Sequence, residues 1–230
     1  MIAQNSEDCI VRSLKWATEH FEEVNVVHSP STDRTNEIVG SFPGVTSIPR
    51  DFTDFSTQWD AAIAASSKPW VLIMAADEII YSPWSFDQVV KLLESKERVA
   101  GVLPRINFQR DIEHLQAGSY PDPKLVLIRS NLRMNGKPVD EMIDAQGKPV
   151  MFLKDINILH WGHIREQKAL KQKHHDRVKF AVSDPVDGKP MLESTKEDWF
   201  NERNVQWDKD AEPIESKEIK EYAKKWHTVS

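Results

Sequence analysis

A chain of 230 residues, 40 % hydrophobic and 29 % charged, carries enough apolar material for one large α/β domain or two small ones. Its net charge of −6 argues against a nucleic-acid-binding surface. A single cysteine, Cys9, excludes an internal disulfide framework and fits a reducing compartment.

Met1-Ile2-Ala3 reads as a short first strand, and polar Gln4 to Asp8 follow where a signal peptide would carry its apolar run, so a cytoplasmic protein is expected. Asn5 is placed to cap a helix whose Ile10, Leu14, Ala17 and Phe21 recur on one face. Val24 to His28 is a second strand, nearly all apolar. Ser29 to Asp33 is a turn, and a helix runs from about Asp33 to Val39. Ser31 or Thr32 caps it, with Asp33 in the first turn, where the helix dipole favours an anion. Val45 to Ile48 is a third strand closed by Pro49. Ser56 is expected to cap a helix reaching Ala65, and Trp70 to Met74 is a fourth strand. This alternation with short connections predicts a parallel sheet covered by helices.

Ser82-Pro83 then opens a helix with proline in its favoured first position and Phe86, Val89, Val90 and Leu93 on its buried face. Val99 to Phe108 is a strand, residues 109–118 carry little signal, and Tyr120-Pro121-Asp122-Pro123 turns into a strand at Leu125 to Arg129. Residues 134–148 read as a loop. Ile156 to Leu159 is the last clear strand and delivers His160-Trp161-Gly162-His163. A basic helix from Ile164 to Ala181 closes a first domain, 1–181. Residues 182–230 form a polar extension, packed on that domain or loosely held, with a charged helix at Glu215 to Trp226. Eight tryptophans are many for this length, and composition leaves core, sugar platform and membrane-surface anchor open for them.

Trp70 to Ile80 is the stretch around which the rest is arranged. Its five unalternated apolar residues suit a strand buried on both faces, and they are too few to span a membrane. Asp77 and Glu78 come where that strand meets water. In open α/β sheets, ligands gather at the carboxyl ends of strands. A carboxylate there can hold a hard divalent cation that itself holds a phosphate. An acidic turn without a ligand is the competing reading.

The order of motifs resembles the family 2 glycosyltransferases with the GT-A fold, most closely the bacterial branch acting on lipopolysaccharide core and similar glycans. Ile2 to Asp8, Val26 to Thr35, Asp54-Phe55-Ser56 and Trp70 to Glu78 carry it. Tyr120-Pro121-Asp122, Val139-Asp140-Glu141 and His160-Trp161-Gly162 are weaker echoes, and the likeness covers about residues 1–175. It implies a Rossmann-like α/β domain with a mostly parallel central sheet, helices on both faces, and a nucleotide-diphosphate sugar lying across the carboxyl edge. It also implies Mn²⁺ or Mg²⁺, which offsets the charge of a diphosphate leaving group. Asp77 matches the metal-binding aspartate and Glu78 is its neighbour; His160, read from its place at a strand end, is a candidate ligand for metal or diphosphate. Asn5, His28, Ser31, Asp33, Arg34, Asp54 and Ala76 fall at donor-binding positions. An inverting transfer needs a base for the acceptor hydroxyl. Glu141 matches it, with Asp140 in place of a partner histidine, and which of the two acids acts stays open.

The chain departs from the family pattern at four places. Ala75 stands where the metal motif has its first acid, and His28 where an aspartate contacts the base. Pro30 replaces a glycine, and Trp59-Asp60 replaces an Arg-Asn pair. Two rivals follow. One is a catalytically impaired sugar-nucleotide or glycan-binding protein of the same fold. The other is a nucleotidyltransferase, which would want a glycine-rich loop where Ala3-Gln4-Asn5-Ser6 has no glycine. The partners implied are the sugar donor and a glycan or glycolipid acceptor at the cytoplasmic side, with room for peripheral contact with the inner face of a membrane. Arg165, Lys168 and Lys171 share a helix face that would suit phosphate or plain solvent. The donor base, the sugar and the oligomeric state are not legible.

Overall fold

The computed structural model describes residues 1–82, 87–137, 142–164 and 211–229. The first third follows the expected alternation: β1 (Ile2–Ala3), α1 (Ile10–His20), β2 (Val24–His28), α2 (Thr35–Ser41), β3 (Val45–Pro49) and α3 (Phe55–Ala64). The three strands are parallel in the order β1-β2-β3, with Ile2 beside Val27 and Val27 beside Ile48. Apolar runs explain the burial: Val26 and Val27 of β2, Leu14 of α1 and Ile63 of α3 have no exposed surface. Each such side chain contributes about 1.5–3 kcal/mol of transfer free energy.

Helix starts differ from expectation wherever a side chain finds a better partner outside the helix. Asn5 does not cap α1. Its φ is 48°, and its side-chain oxygen accepts hydrogen bonds from Thr32 N and Oγ1 across the turn, while Cys9 sits at the N-cap with no side-chain cap bond. Phe21, expected on the buried face, lies beyond the last turn and is exposed. Asp54 rather than Ser56 caps α3 by accepting from Thr57 N at 2.7 Å, and Ser56 donates instead to the Lys137 carbonyl. Helix α2 begins at Thr35, whose N donates to Asp33 Oδ1 at 2.9 Å, so Asp33 precedes the helix it was expected to start.

From residue 70 onward the elements are β4 (Trp70–Leu72), β5 (Glu78–Tyr81), α4 (Asp87–Glu94), β6 (Ala100–Gln109), β7 (Asp111–Gln116) and β8 (Asp122–Arg129). They continue as β9 (Arg133–Met134), β10 (Ile143–Asp144), β11 (Val150–Phe152), β12 (Asn157–His163), β13 (Ala211–Pro213) and α5 (Lys217–His227). Strands β9 and β10 pair with each other, and the others form an eight-stranded sheet. That sheet is mixed, which corrects the expectation of a mostly parallel one. Only β11 and β12 run parallel to β6; β4 with β8, β5 with β12, β6 with β7 and β8, and β13 with β7 are antiparallel. The reason is connection length. Arg110 alone, with φ 67°, separates β6 from β7, and residues 117–121 separate β7 from β8. A parallel crossover needs a dozen residues or more.

The Trp70–Met74 run is a strand only as far as Leu72, paired with Leu127. The next amide, of Ile73, donates to the Val126 carbonyl, and Ala75 then pairs in parallel with Ile2, so this segment joins the two sheets. Strand β5, unexpected directly after the acids, is buried throughout and pairs with β12, setting Glu78 opposite His160. Tryptophans 16, 59, 161 and 226 are core residues.

Helix α5 matches the expected charged helix, with Ser216 accepting from Ile219 N at its start. Its apolar face docks Ala223 and Trp226. Arg12, buried in α1 and stacked over the Trp161 ring, donates to the Trp226 and His227 carbonyls at 2.7 and 3.2 Å. A cation there satisfies orphan carbonyls and suits the negative end of the helix dipole. The start of the Ser82-Pro83 helix, the basic helix after Arg165, and residues 182–210 lie outside the described residues. Among the described residues no helix is long and apolar enough to cross a membrane.

Candidate functional site

The parallel bridge from Ala75 to Ile2, and the pairing of Ile2 with Val27, make β1 the spacer between two strand ends. Two inter-strand steps put Ala75 and Val27 about 10 Å apart. Asp77 follows the first and His28 the second, both at the carboxyl edge of the parallel strands.

Asp77 and His160 meet at the first end. They are 5 % and 8 % exposed, and Asp77 Oδ2 lies 3.6 Å from His160 Nε2. The turn that carries Asp77 is pinned through three successive carbonyls by two groups. Ser13 Oγ, on α1, lies 2.8 Å from both the Ala76 and Glu78 carbonyls, and Trp161 N donates to the Asp77 carbonyl at 2.9 Å. Glu78 turns its carboxylate back, accepting from Ala75 N at 2.9 Å and from Arg105 Nη1 at 3.4 Å. Behind the imidazole, His160 Nδ1 is 2.7 Å from Asn107 Oδ1, and Asn107 Nδ2 donates to Asp122 Oδ2 at 3.0 Å. Arg105 grips the same Asp122 carboxylate. Burial alone would raise the Asp122 carboxyl, but the hydrogen bond from Asn107 and the charge of Arg105 outweigh it and hold it below the usual carboxylate range.

These residues fit a divalent cation. Two donors each about 2.1 Å from one ion cannot be more than about 4.2 Å apart, and 3.6 Å lies inside that limit. The floor of the gap is Gly162. A Cβ there would stand 2.2 Å from His160 Nε2 and 3.1 Å from Asp77 Oδ2, so only glycine leaves the space between them open. Among the described residues no group of three or more His, Cys, Asp or Glu side chains is arranged to hold a metal. Two protein ligands completed by phosphate and water is the usual condition of a Mg²⁺ site in nucleotide chemistry.

The other end is a cleft of about 240 Å³ lined by His28, Pro30, Asn36, Pro49, Arg50 and Asp51. His28 Nε2 pairs with Ser47 Oγ at 2.8 Å, while His28 Nδ1 and Asn36 Oδ1 are buried without a hydrogen-bond partner among the described residues. An unpaired buried polar atom costs about 1–3 kcal/mol, which a ligand bridging it recovers. Burial holds the His28 imidazole below its ordinary pKa, so it is a neutral group with one donor and one acceptor nitrogen.

The remaining sequence candidates mostly serve the chain itself. Asn5 N donates to Ser31 Oγ at 3.1 Å, and Ser31 donates to the Ser29 carbonyl. Asp33 accepts from Glu7 N through Oδ2 and from Thr35 N through Oδ1. Arg34 is exposed and pairs with Glu37 at 2.9 Å. Asp54 is occupied as the α3 cap, and Ala76 lends its carbonyl to Ser13. Glu141, Asp140, Arg165, Lys168 and Lys171 lie outside the described residues. Sequence reading missed Asn107, Arg105 and Ser13. Asn107 was detectable as an uncharged polar residue inside an apolar strand, whereas the reach of Ser13 left no sequence signal. Asp122 and Gly162 stood inside quoted motifs without a role.

The family model "Glycosyl transferase family 2" matches residues 1–158. The chain is 28 % identical over 149 residues to a TPR repeat-containing protein of Synechococcus elongatus; this covers 63 % of the chain and 34 % of that protein. The chain thus spans about a third of that relative's length. Among solved structures it is similar to S. aureus TarS 1-349, with a TM-score of 0.44 and 12 % identity, covering 86 % of this chain and 67 % of the other. It is also similar to a putative glucose-1-phosphate thymidylyltransferase from Bacillus anthracis, with a TM-score of 0.30 and 13 % identity, covering 85 % and 69 %.

Proposed function

The chain belongs to glycosyl transferase family 2, and from that premise we propose that it transfers a hexosyl group, with inversion, from a nucleotide-diphosphate sugar to a glycan or glycolipid. The acceptor class follows the resemblance to the lipopolysaccharide-core branch, and the arrangement is read as a GT-A domain. The observation that carries the reading is the convergence of Asp77 Oδ2 and His160 Nε2 over the bare Cα of Gly162.

In this reading the donor lies along the carboxyl edge. The His28 cleft takes the base, meeting it with a neutral imidazole where the family has a carboxylate. Asp77 and His160 hold Mn²⁺ or Mg²⁺, which supplies the positive charge that offsets a diphosphate leaving group. Ser13 and Trp161 fix the Asp77 turn so that its carboxylate is already in place when the donor arrives. The acceptor hydroxyl oxygen attacks the anomeric carbon, the bond from that carbon to the diphosphate oxygen breaks, and the hydroxyl proton passes to Glu141, with Asp140 beside it in the chain.

A thermal-shift panel of nucleotide sugars, each with and without Mn²⁺, tests the donor half of this reading. A ligand at a hundred times its dissociation constant adds about 2.7 kcal/mol to stability. Stabilisation that needs both Mn²⁺ and a nucleotide sugar supports the reading; its absence for every donor base contradicts it. One observation favours a second reading. Ala75 puts a methyl where the metal motif has an acid, as in a protein that binds the donor without turning it over. Release of nucleoside diphosphate by the purified protein with acceptor present separates the two.

A further inference from the structure

We propose that Asn107 is a positioning residue that holds His160 with its proton on Nδ1, so that a bare Nε2 faces Asp77 across the Gly162 gap. The inference rests on the metal-binding reading of Asp77 and His160 for its purpose, but not for its geometry.

The chain of reasoning starts at Asp122. Its carboxylate, gripped by Arg105, is an anion and can only accept hydrogen bonds. It faces the Asn107 amide at 3.0 Å, so the NH₂ group must be the end turned towards it. That leaves Oδ1 at the other end, 2.7 Å from His160 Nδ1. An amide oxygen has no proton to give, so Nδ1 must donate. In the neutral ring Nε2 then carries a lone pair, and that lone pair is on the side of Asp77 Oδ2, 3.6 Å away.

The separation matters. It is too long for a direct hydrogen bond between ring and carboxylate. An imidazole nitrogen and a carboxylate oxygen at that distance lie within reach of one shared cation. Asn107 is 3 % exposed and is the register partner of His160 between the parallel strands β6 and β12, so backbone pairing sets the distance between the two side chains. Imidazole ligands of metals commonly donate their second nitrogen to such an oxygen, and loss of the partner costs about 10–100-fold in metal affinity.

The test has two readouts. Long-range ¹H–¹⁵N NMR of the metal-free protein in alkaline buffer reports the tautomer of His160 directly. The expected result is Nδ1–H in the wild type and loss of that preference in Asn107→Leu. Mn²⁺ titration should follow, with affinity at least about tenfold weaker in Asn107→Leu. A wild type with its proton on Nε2 overturns the inference without any variant. So does an Asn107→Leu protein with unchanged tautomer and Mn²⁺ affinity. A wild type that shows Nδ1–H, lost in Asn107→Leu, yet binds no Mn²⁺ supports the positioning role and defeats only the metal reading.

Discussion

The resemblance assigns the Asp77–His160 centre and the Asn5–Asp33 turn alike to the donor side, and they differ in how their polar atoms are arranged. At the turn, Asp33 accepts from two backbone amides, the Asn5 side chain accepts from Thr32, and Ser31 closes onto the Ser29 carbonyl. At the centre the backbone is pinned by others, Ser13 and Trp161, while Asp77 Oδ2 and His160 Nε2 face each other across a gap that only glycine permits. A motif residue can therefore tie down its own turn or face another residue across a gap, and the two geometries call for different tests. The His28 cleft differs from both, with one imidazole nitrogen paired to Ser47 and the other unpaired among the described residues.

The largest effect should come from a residue outside the described ones. Glu141→Gln keeps shape but cannot take a proton, so transfer should slow by roughly a hundredfold or more while donor binding barely changes. Asp140→Asn should do less. Steady-state transfer rates beside donor titrations check this, and a larger effect of Asp140→Asn would reverse the two roles. Next is the turn itself. Asp33→Ala orphans two amide donors and should cost about 1–2 kcal/mol in denaturant unfolding, with Mn²⁺ affinity unchanged. A variant of normal stability that has lost Mn²⁺ affinity would put Asp33 with the chemistry and erase the contrast.

Gly162→Ala probes the centre from its floor. The added methyl must push His160 Nε2 away, so Mn²⁺ affinity measured by titration should fall about tenfold. Unchanged affinity would mean that His160 is not a ligand. The smallest effect concerns His28 and pH. Burial lowers its folded pKa below the usual value near 6.5, so the unfolded chain binds the extra proton first. Stability should therefore decline as pH falls below about 6.5 and stop declining below the folded pKa. His28→Gln should flatten that part of the stability profile; equal slopes for the two proteins would contradict the buried neutral imidazole.

The first three strands and helices were legible because each apolar run and its short connection point to one structure. The later hairpins were not. Their tightest link is Arg110 in the left-handed region, a residue type that gives no turn signal. Strand β5 was hidden because the acids at Asp77 and Glu78 mark an end in sequence, yet β12, far along the chain, supplies the ladder that continues from Glu78. In the site, Asp77 and His160 could be named from motifs. The demand for glycine at 162 and the orientation of Asn107 depend on pairing between β6 and β12, which no local pattern encodes. That Asp33, Asp54 and Arg34 are occupied by near neighbours was equally invisible, because the same short polar side chains serve turns, caps and ligands alike.

Asp77→Asn measures the central claim most directly. The substitution keeps the size of this buried side chain and removes its charge. Thermal unfolding is followed with a nucleotide sugar that stabilises the wild type, with and without Mn²⁺. The account predicts a near-normal melting temperature for the free variant and no Mn²⁺-dependent stabilisation by the donor. Stabilisation that persists at wild-type strength would contradict the assignment of Asp77 as the residue that holds the metal.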